Sequence, residues 1–171
     1  ETQTVIFSNY TANEQESDSE GQLITFASEE NRYRFFTDDL SDYTDAPHQI
    51  QPGEVYVSPS MVSMFGIQIG DEITFPIARA GKNKILTVKG FYEDPFMGSS
   101  MIGMKGFLIC ENDRAEILSI LQNAGIDALA RNGTMLHIFS SDNTMTVSEL
   151  NSMINGNTAL AEYTEFVHSN D

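Results

Sequence analysis

Gly53-Glu54-Val55-Tyr56-Val57-Ser58-Pro59-Ser60-Met61-Val62-Ser63-Met64-Phe65-Gly66-Ile67-Gln68-Ile69-Gly70-Asp71-Glu72-Ile73-Thr74-Phe75 holds a strand, a helix and a second strand with their punctuation intact. Gly53 to Val57 reads as a short strand running into the helix. Ser58 offers a hydroxyl to the free N–H groups of a helix, Pro59 suits the first helical position, and Gly66 suits the left-handed residue that stops one. Met61, Val62, Met64 and Phe65 supply the apolar contacts of that short helix. Gly70-Asp71 then reads as a turn, followed by a strand through Ile73 and Phe75.

Downstream, Ile85 to Phe91 reads as a strand that pairs with the preceding one as a hairpin across Ala80-Gly81-Lys82-Asn83. Upstream, Thr4–Phe7, Gln22–Phe26 and Arg32–Phe36 read as strands. Thr11 to Gly21 lacks any large apolar residue and reads as an exposed loop between two of them. Thr37 to Gln51 is turn-rich and acidic. The last third brings a strand at Phe107–Cys110 and a capping-box pair, Asp113 and Glu116, opening a helix whose stripe is Ile117, Leu118, Ile120, Leu121 and Ala124. Gly125 ends it. A strand at Met135–Phe139 follows, then a second capping-box pair, Thr146 and Glu149, and a final helical segment from Thr158 to His168. Strand, helix, strand, helix in this order predicts an α+β fold with helices on one face of a small sheet.

The 171 residues carry 9 Lys+Arg against 25 Asp+Glu, a formal charge of −16. The first 72 residues hold a net −12 and the remainder −4, so the acid is concentrated toward the front. Such a chain repels phosphate backbones, and nucleic-acid binding is excluded on that ground. At 40% hydrophobic it is too apolar for a disordered chain. A single cysteine, Cys110, rules out an internal disulfide and any Cys-cluster metal site. In the apolar run Gly106–Cys110 it reads as a small buried hydrophobe. The chain opens at Glu1 without Met, with no signal peptide or apolar span, and we expect an excised segment or a processed product.

Sequence signals for catalysis are weak. His48, His137 and His168 have no neighbours at ligand or triad spacing, and no Gly-x-Ser-x-Gly, His-Glu-x-x-His or phosphate-cradling loop occurs. Glu29-Glu30 and Asp38-Asp39 are adjacent acids of the kind found on solvated faces. Glu16 to Gly21 places acids at alternate positions with Gly sixth, as a calcium loop does. Its twelfth position is Ala27 where a bidentate Glu belongs, and its flanks are strands, so an acidic hairpin loop is the better account. The expectation is therefore no enzyme activity, no cofactor and no resident metal.

One stretch stands out as a contact surface. Phe96-Met97-Gly98-Ser99-Ser100-Met101-Ile102-Gly103-Met104 is uncharged and rich in Gly and Met after the turn Glu93-Asp94-Pro95. Thioether metal sites usually bring His or Cys close by, and none is here. Adaptable Met side chains serve as packing or as a surface for a partner, so Phe96, Met97, Met101 and Met104 are the candidate partner-binding residues.

The run from Gly53 through Ile69-Gly70-Asp71-Glu72-Ile73 to Leu86-Thr87-Val88-Lys89-Gly90-Phe91 resembles the extracytoplasmic domain of FtsX-like, MacB-like ABC transporter permeases, over residues 50–95. That family places a strand, a short helix, a Gly-Asp turn and a strand ending in a Val-x-Gly-hydrophobic step in this order. The resemblance implies a two-lobed α+β fold: a porter-like lobe from residues 1–46 and 105–171, and a mostly-β lobe with one short helix inserted at 47–104. It implies a non-catalytic domain outside the bacterial cytoplasmic membrane, between two membrane helices. It also implies partners: the cytoplasmic ATPase subunit through the membrane part, a second permease copy, and an exported peptide or lipid or a cell-wall protein. Scarce cysteine and an acidic surface fit an exported domain of a Gram-positive-type cell. The rival readings are a free-standing secreted or surface protein using its acidic part on a cationic partner, and a hydrolase with a carboxylate pair.

Overall fold

A computed structural model describes residues 2–27, 33–77, 80–94, 104–125, 132–136 and 146–156. The chain divides into two compact units, Thr2–Leu136 and His137–Asp171 together with Glu1. The first unit holds β1 (Thr2–Ser8), β2 (Thr11–Ala12), β3 (Gln15–Glu16), β4 (Gly21–Thr25), β5 (Phe35–Phe36), β6 (Tyr43–Thr44) and β7 (Glu54–Val57). These are followed by α1 (Ser60–Phe65), β8 (Glu72–Ile77), β9 (Lys82–Tyr92), β10 (Gly106–Ile109), α2 (Glu111–Asn123) and β11 (Asn132–Leu136). The second unit holds α3 (Val147–Gly156). The fold is mixed α+β.

In the first unit the strands form one sheet in the order β11-β1-β4-β10-β7-β9-β8-β2-β3, with β5 and β6 added alongside β9. β1 runs through Asn9 and Tyr10 into β2, and β2 pairs antiparallel with β8, Thr11 opposite Thr74. The sheet therefore curls until its far strands meet the continuation of its own first strand. Ser8 Oγ donates to the Pro76 carbonyl across the seam at 3.3 Å. Tyr10 closes the same corner, its ring 4.8 Å from that of Phe107 and 5.7 Å from that of Phe65.

Two strand types follow from two kinds of sequence pattern. In β8 and β9 the buried residues alternate, Ile73, Phe75, Ile77 and Leu86, Val88, with exposed or half-buried residues between them. In β1, β4 and β10 the apolar residues run on, and adjacent ones serve opposite faces: Ile6, Leu23 and Phe107 join one buried cluster, Val5, Ile24 and Leu108 the other. Strands buried on both faces need that continuous run. The first cluster also takes Met61 and Phe65 from α1 and Ile117 and Leu121 from α2.

Local expectations met three corrections. Thr11 to Gly21 is not a plain exposed loop: β2 and β3 pair around Asn13 and Glu14, both at positive φ (47° and 64°). Positive φ at both central residues is what a tight two-residue hairpin turn requires. Its tip is tied down, because Asn13 Nδ2 donates to the Phe65 carbonyl at 2.9 Å. Second, α1 begins at Ser60 with Pro59 at its N-cap, one residue later than expected. No side chain caps it, and the Met61 and Val62 N–H groups reach the Ser58 and Pro59 carbonyls instead. Its stop at Gly66 is as read, left-handed at φ 67°.

Third, Asp113 is not the cap of α2. The helix starts three residues earlier, with Cys110 as N-cap accepting from the Asp113 N–H through Sγ at 3.4 Å. The Cys110 thiol in turn donates to Asp113 Oδ2 at 3.3 Å, a reciprocal capping pair built with sulfur in place of a hydroxyl. β10 leads straight into the helix, so the earlier register wins. In the second unit the Thr146 and Glu149 pair forms as read: each backbone N–H donates to the other's side chain, at 2.8 and 3.3 Å. His137, Phe139 and the segment from Thr158 to His168 lie outside the described residues, as do Glu29 to Arg32.

Candidate functional site

Of the four candidate contact residues, Phe96, Met97 and Met101 lie outside the described residues, and Met104 is half-buried. What the structure does describe is the pair of chain ends that this segment joins. β9 stops at Tyr92, and β10 restarts at Gly106. Between these ends sit three buried polar groups: Asp94 (4% exposed), Lys105 (0%) and the Tyr92 hydroxyl.

Asp94 Oδ2 accepts the Gly106 N–H at 2.8 Å, joining the two ends directly. The Lys105 carbonyl accepts the Gln22 N–H at 2.8 Å, anchoring the returning end beside β4. A Cβ on Gly106 would collide with the Tyr92 hydroxyl and the Asp94 carboxylate, so only glycine admits both groups here. Burial pushes the Lys105 ammonium down, opposed by the charge of Asp94. The Tyr92 phenol is pushed well up, first by burial and then by the Asp94 charge. A buried Lys and a buried Asp in each other's field are costly unless well paired.

A second buried carboxylate organises the start of α2. Asp113, 1% exposed, accepts the Gly53 N–H at 2.8 Å and lies 2.7 Å from Lys84 Nζ on β9. Lys84 also reaches Glu116 Oε2 at 2.6 Å. Burial alone would lower the Lys84 ammonium, but hydrogen bonds and charge from Asp113 and Glu116 outweigh it and hold the pKa above the usual value.

The remaining candidates are placed as follows. His48 lines an open recess of about 530 Å³ with Phe26, Gln51, Cys110, Glu111 and Asn112. Burial raises the Cys110 thiol, partly opposed by the Asp113 N–H, which leaves it protonated and a poor nucleophile. Asp39 accepts from the Thr37 and Ser41 hydroxyls at 2.7 Å each and organises the acidic turn between β5 and β6. Among the described residues no three His, Cys, Asp or Glu side chains are grouped to hold a metal ion. Among the same residues no helix is long and apolar enough to cross a membrane.

Sequence reading missed Lys105, Asp94 and the true role of Asp113. Nothing local marks a buried Lys, and Asp113 sits where a cap pattern gives it a more ordinary meaning. No family model matches the chain, and no curated protein matches it.

Proposed function

We propose that the chain is the extracytoplasmic domain of an FtsX-like, MacB-like ABC transporter permease. In this role it is a non-catalytic module that binds a substrate or partner and follows the motion of the membrane helices. It stands on the outer face of a bacterial cytoplasmic membrane, with a porter-like lobe from 1–46 and 105–171 and an inserted lobe at 47–104.

The observation that carries this reading is topological. β4 and β10 are parallel neighbours, Leu23 opposite Phe107, although β5, β6, β7, α1, β8 and β9 come between them in sequence. A long stretch of chain therefore leaves and re-enters between two adjacent strands, and the reading takes its 47–104 part as the inserted lobe, with β7 paired to β10 and β8 to β2 at its borders. β1 lies beside β11, Thr2 opposite Leu136, which sets the first strand of this unit next to its last.

Phe96, Met97, Met101 and Met104 are the proposed contact residues, in the segment of sequence that runs from Asp94 to Lys105. The test is alanine substitution of the four in the full-length protein, with transport and partner co-purification as readouts. Both should fall. Unchanged transport and unchanged partner binding would sink the contact role, and a gene lacking hydrophobic helices on either side of this segment would sink the permease reading.

A further inference from the structure

We propose that the cavity at the seam of the curled sheet binds the apolar group of a small amphipathic cation. The cavity is about 220 Å³ and lies between β1, β4, β8 and α2. Its interior is made by Ile6, Leu23, Phe75, Ile77, Ile117 and Leu121, all of them otherwise buried core residues. Water there finds no hydrogen-bond partners on those walls, and an empty apolar space forfeits dispersion contacts along its lining. An apolar cavity of roughly 150 Å³ holds a benzene-sized ligand, so this one suits an alkyl group of about six carbons.

Polarity is confined to the mouth. Ser8, Asn9 and Glu20 ring it, where the head of an amphiphile would emerge. The Ser8 hydroxyl already spans the seam to the Pro76 carbonyl. Glu20 has its own interaction within the fold. The preference for a cationic head therefore rests on the wider field: the net −12 of the first 72 residues, which include the mouth. A primary alkylammonium has this chemistry. The site draws on no residue of the 95–103 segment and does not depend on the permease reading.

The test uses the 171-residue chain with hexylammonium, hexanoate and hexanol as probes, followed by methyl NMR and calorimetry at low and moderate salt. Hexylammonium should give saturable shifts at the Ile6, Leu23, Ile117 and Leu121 methyls. Its affinity should exceed that of hexanoate by about threefold or more at low salt, with the gap closing as salt is added. Ile117→Phe, which fills the cavity, should weaken binding by about tenfold. If that variant melts early, Ser8→Leu narrows the mouth without touching the core and should do the same in a protein of normal melting temperature. Equal affinity for cation and anion, undiminished binding in a folded filled variant, or no saturable shift with any probe would each overturn the proposal.

Discussion

Asp113 Oδ1 on α2 lies 2.7 Å from Lys84 Nζ on β9, with both side chains largely withdrawn from solvent. This contact joins the start of the second helix to the long hairpin, and the Gly53 N–H on the same carboxylate brings in the approach to β7. Removing one partner leaves the other charge buried without compensation. Asp113→Ala should cost about 3 kcal/mol in urea unfolding, and Asp113→Asn less, since its amide oxygen can still accept from Gly53. A loss below about 1 kcal/mol for the alanine variant would show that the pair contributes little.

The same pair sets a pH dependence at the alkaline end. The Lys84 ammonium is held above its usual value of 10.5, so the folded state keeps its proton longer than the unfolded chain does. Its contribution is complete below that value and is lost as pH rises through the raised folded pKa. Lys84→Met should remove this part of the alkaline loss in denaturation curves taken between neutral pH and the Lys range.

Gly106 is crowded by the Tyr92 hydroxyl and the Asp94 carboxylate. Gly106→Ala should lower stability by about 2 kcal/mol through overpacking at this position. Tyr92→Phe removes one of the two obstructing atoms, and in the double variant it should recover part of the loss. Additive melting-temperature changes in the double variant would argue against the steric cause.

At Gly66 the left-handed φ of 67° is required by the stop of α1, where the N–H bonds back to the Val62 carbonyl at 2.9 Å. Gly66→Val should cost more than about 1 kcal/mol, while Gly66→Asn should cost less, because Asn tolerates that region. Thermal unfolding of the two variants side by side checks the order.

The Asp39 carboxyl is lowered to about 2 by hydrogen bonds from the Ser41 and Thr37 hydroxyls and the Ser41 N–H. Its ionised form is favoured by the fold, so that contribution is present above the ordinary 3.8 and fades as pH falls through about 2. Carbon-detected NMR titration should find the low midpoint in the native chain. Ser41→Ala should move it upward, and an unmoved midpoint would assign the shift to another cause.

Legibility followed the range of each interaction. The β8–β9 hairpin, the stop at Gly66 and the Thr146–Glu149 cap were readable because each is decided by residues a few positions apart, through alternation, a positive φ or an i,i+3 hydrogen bond. Asp113 shows the limit of that reasoning. Asp113 and Glu116 satisfy the spacing of a cap, but Cys110 satisfies it one turn sooner with Asp113 as its partner. The carboxylate then serves Lys84 and Gly53, neither of which is near it in sequence. Likewise Asn13 looked like a loop residue and proves to cap a helix more than fifty positions away.

The sequence by itself therefore determined the mixed α+β character, most of the strands, and the concentration of acid in the first 72 residues. These depend on periodicity, turn chemistry and simple counting. Only the tertiary structure decided that the sheet curls back onto the β1–β2 segment, that Lys105 is buried beside Asp94, and that an apolar cavity opens at the seam under α2. Each depends on which distant residues meet when the chain closes. A buried charge or an unfilled space exists only relative to those partners, so no local pattern announces it.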